Sequence, residues 1–162
     1  MWVCLPNEIF VAFISSGWLN IGMINYKKLP SYILQLLPDA VDYLESHPQI
    51  LFAYLFGGLA REKLQPLSDV DIAIYLRTVG NVAEEKLEIL GNIVTILQTD
   101  EIDLVVLNTA ALALVMNIIK ARKIIVDNDP FSRHIFESVT MRKYFDFSIK
   151  EAAMLQRIYM HG

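Results

Sequence analysis

The chain has 162 residues, of which 54% are hydrophobic and 20% charged, and its formal net charge is −4. This length and composition fit one globular domain and exclude a disordered chain. The acidic balance argues against a protein that holds a long nucleic acid by its backbone. The single cysteine, Cys4, excludes an internal disulfide and a structural zinc site built from several thiolates.

The N-terminal part of the chain contains an uncharged, mostly apolar run at residues 9–24. This run is short for a membrane span, which needs about 20 apolar residues. No lysine or arginine precedes it, unlike the start of a secretory signal. We expect translation to begin at Met23, which makes residues 1–22 an extension outside the domain; an extra packing helix and a membrane anchor are the alternatives. A cytoplasmic protein is expected.

Apolar periodicity predicts the remaining elements in chain order. They are a helix from about residue 31 that Pro38 kinks or splits and Pro48 ends, a strand at 51–56, one or two helical turns at 59–64, a strand at 69–76, a helix at 82–98, a strand at 101–107, a helix at 109–121, a short strand at 123–126, and a terminal helix from Pro130 to about Tyr159. Two strands in succession favour a mixed sheet over a doubly wound parallel one. The sequence therefore predicts an α+β domain at residues 23–128, with a small mixed sheet flanked by helices, and a separate C-terminal helix at 129–162.

Two aspartates stand two positions apart at the start of the strand at 69–76. Side chains alternate along a strand, so Asp69 and Asp71 point to one face with their α-carbons roughly 6.6 Å apart. The apolar residues at 70, 72, 74 and 76 face the core and fix this register. Paired carboxylates repel each other unless a cation lies between them, and Mg²⁺ prefers oxygen ligands. The pair therefore predicts a magnesium site suited to phosphoryl displacement.

A third acid is predicted on the next strand. Asp103 faces away from the apolar residues at 102, 104 and 106, toward a site or solvent. It would hold a second metal ion or lower the pKa of the attacking hydroxyl. Asp100 and Glu101, at the edge of the strand, are the alternatives.

Two adjacent glycines, Gly57 and Gly58, follow the strand at 51–56. Such a turn lets the backbone approach a phosphate closely and direct N–H groups at it, although an ordinary turn is the simpler interpretation. Arg61 is a candidate phosphate clamp or an ordinary surface cation. Ser68, just before the acids, is a candidate cap or ligand.

The spacing of these residues resembles a known signature. Gly57-Gly58, ten intervening residues and Asp69-x-Asp71 are similar to the Gly-Ser-x10-Asp-x-Asp signature of the DNA polymerase β superfamily. The segments 55–61, 68–73 and 102–105 look like those of the minimal nucleotidyltransferases (MNT). The later helix, the run at 123–125 and the long terminal helix look like the branch that acts as antitoxin to HEPN-domain RNase toxins.

The resemblance implies a polymerase β-type nucleotidyltransferase fold and a magnesium-dependent transfer of AMP from ATP to a tyrosine of a cognate HEPN toxin encoded nearby. That modification would neutralise the toxin. The implied catalytic and metal-binding acids are Asp69, Asp71 and Asp103, and the implied nucleotide-binding residues are Gly57, Gly58, Arg61 and Ser68.

One residue departs from the family pattern, because Gly58 stands where the family has serine. The missing hydroxyl removes a hydrogen bond to phosphate worth about 1.5–3 kcal/mol, or about 10- to 100-fold in rate. We expect weakened rather than abolished catalysis. An antitoxin that acts by binding alone is the alternative, and transfer to a small molecule such as an aminoglycoside is a third, for which the chain has little room for an acceptor domain.

The terminal helix carries more apolar residues than one core contact needs. The residues predicted to face the core are Phe131, Ile135, Val139, Phe145 and Ile149. The residues beyond this stripe are Phe136, Met141, Tyr144, Phe147 and Met154. The additional surface, together with the resemblance, predicts a docking helix and a hetero-oligomer with the toxin.

Overall fold

The computed structural model describes residues 32–60, 69–78 and 80–160, together with two short strands near the N-terminus. These strands, β1 (Val3–Cys4) and β2 (Phe10–Val11), pair antiparallel. The rest of the N-terminal extension, and with it the predicted start, helix or anchor, lies outside the described residues. Within the described ranges, no helix is long and apolar enough to cross a membrane.

The predicted helices and strands are confirmed, with ends shifted by a few residues, except that residues 61–64 of the predicted turns at 59–64 lie outside the described part of the chain. The elements are α1 (Ile33–Ser46), β3 (Ile50–Phe56), α2 (Gly57–Ala60), β4 (Val70–Leu76), α3 (Val82–Leu97), β5 (Ile102–Val106), α4 (Leu112–Ala121), β6 (Lys123–Asp127) and α5 (Pro130–Met160). The strands β3 to β6 form one sheet in the order β5-β4-β3-β6. Because β4 and β5 are parallel while β3 runs antiparallel to both β4 and β6, the predicted mixed sheet is also confirmed.

The sequence predicted that Pro38 kinks or splits this helix. Pro38 lies inside a continuous α1, so a split into two helices was wrong. A proline in a helix removes the hydrogen bond to the carbonyl four residues earlier. Here that carbonyl belongs to Leu34, and both Leu34 and Pro38 lie on the exposed side of the helix. Water can therefore replace the missing bond, and the buried side of the helix holds its contacts through Ile33, Ala40 and Leu44.

The sheet is covered by helices on both faces. Helices α1 and α3 pack on one face, where the alternating side chains of β4 (Val70, Ile72, Ile74 and Leu76) are buried. Helices α4 and α5 pack on the other face, against Phe52, Tyr54 and Ala73. The prediction that the apolar residues of β4 face a core is confirmed. The aspartates of β4 and β5 therefore belong to the face covered by α4 and α5.

The predicted core stripe of α5 was wrong. Phe131, Ile135, Phe145 and Ile149 are all exposed. The helix instead contacts the sheet through Phe136, whose ring centroid lies 4.8 Å from that of Tyr75 and 5.6 Å from that of Phe52. The other buried positions on this side are polar: Arg133, Glu137 and Thr140.

A buried polar network attaches α5 to the sheet. The Tyr54 hydroxyl donates to Glu137 Oε1 at 2.7 Å, and Arg122 Nη2 donates to Glu137 Oε2 at 2.8 Å. Arg133 contacts the same carboxylate at 3.4 Å and donates two hydrogen bonds of 2.9 Å to Asp127. Burial, and then the bond to Glu137, raise the pKa of Tyr54, which stays protonated and able to donate.

Helix α5 starts beside the beginning of β3 and follows it. The Asp129 amide donates to the Leu51 carbonyl, and Glu137 meets Tyr54 farther along the strand. Near the end of α4, Lys120 Nζ lies 5.1 Å from the centre of the Tyr144 ring. Lys120 lies close to the C-terminal end of β3. Strand β6 begins three residues after Lys120, and its first residue, Lys123, pairs with Leu55 of β3. The residues after Tyr144 therefore continue past the C-terminal end of β3.

Candidate active site

Two aspartates lie side by side at one end of the sheet. The parallel register pairs Asp71 of β4 with Asp103 of β5. Residues paired on neighbouring strands point to the same face, and such strands lie about 4.8 Å apart. Asp103 is exposed and Asp71 is half-buried. The Val70 amide donates to the Glu101 carbonyl at 3.0 Å and fixes the two strand starts together.

The electrostatic environment of Asp71 shows that the three acids interact. Burial raises the pKa of Asp71 most, followed by the negative charges of Asp103 and then Asp69. Asp69 is exposed and lies just before β4. A cation at this end of the sheet would relieve the repulsion among the three carboxylates.

The glycine turn lies directly against Asp71. Phe56, the last residue of β3, pairs with Asp71 across the antiparallel register. Gly57 follows with a φ of 69°, a left-handed conformation that residues with a side chain rarely adopt. A Cβ at Gly57 would overlap the Asp71 carboxyl group. The turn therefore needs glycine for both its conformation and its close approach to the acid.

The Gly58 amide lies beside the Asp71 carboxylate and lowers its pKa, which opposes the effects of burial and repulsion. That Gly57 and Gly58 bind a phosphate stays a prediction. Arg61 and Ser68, the other predicted nucleotide-binding residues, lie outside the described residues.

The donor set fits a magnesium ion that arrives with a nucleotide. Within the described ranges, no three carboxylate, imidazole or thiol side chains approach closely enough to enclose a metal ion. Mg²⁺ is usually held by one or two carboxylates together with substrate phosphates and waters, rather than by a cage of protein ligands. The half-buried Asp71 and the exposed Asp103 and Asp69 supply oxygen ligands of that kind.

Sequence reasoning missed the residues that hold α5 beside this site. The Arg122, Arg133 and Glu137 network joins α5 to β3 and β6 over long sequence distances. The spacing of Arg133 and Glu137, four residues apart on a helix, was the one local signal available. Their burial depends on where the helix packs, which no local pattern reveals.

Comparison with known proteins assigns the fold to a family. The sequence model of the family described as "Polymerase beta, Nucleotidyltransferase" matches residues 39–131. The chain belongs to this family. The matched part covers more than half of the chain and includes Gly57, Gly58 and the three acids. A comparison with curated proteins gives no match.

Several solved structures share the fold of this chain. A chain of a toxin–antitoxin complex with AMP-PNP is 22% identical with a TM-score of 0.61, over 75% of this chain and 97% of that one. A chain from the complex of tri-AMPylated Shewanella oneidensis HEPN toxin with MNT antitoxin is 22% identical with a TM-score of 0.58, over 76% and 97%. A chain of the MntA–HepT toxin–antitoxin complex is 24% identical with a TM-score of 0.57, over 76% and 97%. At sequence identities of 22–24%, these similarities show a shared fold and nothing more.

Proposed function

We propose that this nucleotidyltransferase is an antitoxin that transfers AMP from ATP to a tyrosine of a HEPN-domain toxin, with Mg²⁺. The observation that carries the proposal is the in-register pair Asp71 and Asp103 beside the Gly57 turn. It is supported by the fold-related complexes, one of which contains an AMPylated HEPN toxin and another AMP-PNP. With ATP as the donor, the reaction belongs to the cytoplasm.

The proposed reaction needs few groups from the protein. The tyrosine oxygen forms a bond to the α-phosphorus of ATP, the bond between the α- and β-phosphates breaks, and pyrophosphate leaves. Bound Mg²⁺ would neutralise charge on the phosphates and the leaving group. Asp69 and Asp71 would hold the metal, and the nearby Gly58 amide favours the ionised form of Asp71. Asp103, more exposed than Asp71, would accept the proton of the hydroxyl or hold a second metal.

The toxin would dock beside this site on the inner side of α5. We call residues 145–160, which continue past the C-terminal end of β3, the distal arm. Phe147 and Met154 of the arm are exposed, and at 100° per residue they continue the side of α5 that faces the sheet nearer its start. This side of the arm would lie on the same face of the sheet as the Asp71–Asp103 pair, toward the end where β3 stops and β4 begins. An acceptor bound there would have its hydroxyl near the carboxylates.

A transfer assay tests the proposed function. The protein, the purified HEPN protein encoded nearby, Mg²⁺ and ATP labelled on the α-phosphate are mixed, and label on the HEPN protein is measured over time. We expect Asp71→Asn to lower the rate about 100-fold or more, since it removes a metal ligand. Asp39→Asn, which changes an exposed acid on α1 across the sheet, is the matched control and keeps the rate. The proposal fails if the unaltered protein transfers no label.

A second candidate function is neutralisation of the toxin by binding alone. It is suggested by Gly58, which stands where the family signature has serine and so lacks the serine hydroxyl. The double variant Asp69→Asn, Asp71→Asn separates the two. If it still protects cells from the toxin as well as the unaltered protein does, binding is sufficient. If protection is lost while the complex still forms, transfer is required.

A further inference from the structure

Helix α5 leaves a second apolar side uncovered, facing away from the sheet. Phe131 is 75% exposed, Ile135 48%, Phe145 56% and Ile149 68%. At 100° per residue these four side chains lie within about 40° of one line along the helix. The buried polar side chains that anchor α5 lie on the opposite side. This line is therefore separate from the sheet contact and from the inner side of the arm.

The distal arm lacks support from its own domain. Of its side chains described, which are those of residues 145–152, 154 and 156, all but that of Ser148 are exposed. A helix of this length is marginal in water without tertiary contacts, since most helix stability in proteins comes from packing. Large exposed apolar side chains mark a surface that another molecule covers. A second contact along α5 is therefore expected.

The spacing of the uncovered residues identifies the covering molecule. Positions 131, 135, 138, 142, 145 and 149, which we call the outer seam, alternate by four and three residues, as do the contact positions of a coiled coil. The spacing is also symmetric about position 140: 131 matches 149, 135 matches 145, and 138 matches 142. A surface with this symmetry is complementary to itself when two helices run antiparallel.

We propose that a second copy of this chain packs antiparallel along the outer seam, with the twofold axis near position 140. Phe131 then meets Ile149 of the other copy, and Ile135 meets Phe145, so that every large apolar side chain of the seam is matched. Two copies provide about 1,000 Å² of interface if each aromatic or aliphatic side chain buries roughly 100–150 Å². This area is at the lower end for specific complexes, so we expect a dissociation constant of about micromolar.

The residues at the centre of the helix pair, and the positions of the arms and domains at its ends, are compatible with this dimer. Ser138 meets Arg142 of the other copy, and Asp146, one helical turn after Arg142, provides an acid on the same helix to balance that charge. The arm of each copy lies over the anchored half of the other α5. Both domains stay on the outside of the helix pair, because each contacts its own α5 from the opposite side. Phe147 and Met154 remain available to an acceptor.

A charge-pair experiment on the full chain tests the dimer without depending on the proposed transfer. Sedimentation velocity of the unaltered protein from about 1 to 100 μM should show a shift from monomer to dimer. Ile135→Lys and Phe145→Glu should each weaken self-association at least tenfold. An equimolar mixture of the two should dimerise. In the mixed dimer, position 135 of each copy faces position 145 of the other: one of these two contacts pairs the lysine with the glutamate, and the other keeps the native Ile135–Phe145 contact.

Phe147→Glu is the matched control, since it changes an exposed aromatic residue of the same arm on another side of the helix. It should leave self-association unchanged. Thermal unfolding followed by circular dichroism checks that each variant is folded, as expected for exposed positions. The proposal is overturned if the unaltered protein stays monomeric, if Phe147→Glu weakens the dimer as much as Phe145→Glu does, or if the mixed variants stay monomeric. It is also overturned if the seam proves to bind the HEPN protein instead.

Discussion

Asp71 is subject to opposing effects from its neighbours. Burial and two other carboxylates disfavour its ionised form, while the Gly58 amide favours it. An ionised acid in these surroundings lowers the stability of the metal-free protein, and a bound cation would relieve that effect. The two-residue spacing in the sequence predicted this acid, and its surroundings disfavour its charge when no cation is bound.

Replacing Asp71 by asparagine should stabilise the metal-free protein. Because the pKa of Asp71 is raised in the folded protein, its stabilising contribution is present below the ordinary aspartate pKa of about 3.9 and is lost as the pH rises through the raised value. At pH 7 the ionised group therefore disfavours folding, and Asp71→Asn should raise the Tm measured in a chelator. The gain should disappear near pH 3. An unchanged or lower Tm at pH 7, with Asp39→Asn as the reference, would argue against this electrostatic description.

Gly57 should tolerate no side chain. Gly57→Ala places a Cβ in a left-handed conformation and into the Asp71 carboxyl group, so we expect a loss of about 1–3 kcal/mol in the free energy of unfolding. Gly91→Ala is the control, because a Cβ there meets no atom within 4 Å and the residue is helical. That variant should gain up to about 1 kcal/mol. Urea unfolding measures both, and equal effects would show that the turn imposes no special constraint.

Among the secondary-structure elements, the sheet was predictable and the orientation of α5 was not. The alternation in β4 is a local pattern, so it predicted the strand, its buried side and the face to which Asp71 belongs. The periodicity of α5 likewise gave its length. It could not tell which side packs, because the exposed stripe of Phe131, Ile135 and Phe145 is more apolar than the anchored side. That side is held by Phe136 and by ion pairs to residues distant in sequence.

The anchoring network should make a large contribution to the attachment of α5. Glu137→Ala leaves Arg122 and the Tyr54 hydroxyl without their shared partner and should cost about 3–5 kcal/mol, as expected when one member of a buried ion pair is removed. Glu151→Ala, an exposed acid on the same helix, should change the free energy of unfolding by less than about 0.5 kcal/mol. Urea unfolding compares the two. Similar small effects would mean that the network does not hold the helix.

For the whole molecule, the glycine turn and the carboxylates lie at one end of the sheet, and the distal arm extends toward that end. Helix α5 and β3 run in the same direction from the Leu51–Asp129 contact, and α5 is the longer element. The sequence motifs predicted the first two parts of this arrangement. The third depends on how a helix crosses a sheet, and the positions of Arg61 and Ser68 remain predictions.

Magnesium-dependent nucleotide binding tests the central claim most directly. Isothermal titration calorimetry with a non-hydrolysable ATP analogue needs no acceptor protein and measures the site alone. We predict that the unaltered protein and Asp39→Asn bind the analogue in Mg²⁺ but not in a chelator, and that Asp71→Asn and Asp103→Asn weaken this binding at least tenfold. Binding that is equally tight without Mg²⁺, or equally tight in all three aspartate variants, would contradict the assignment of these carboxylates to a metal–nucleotide site.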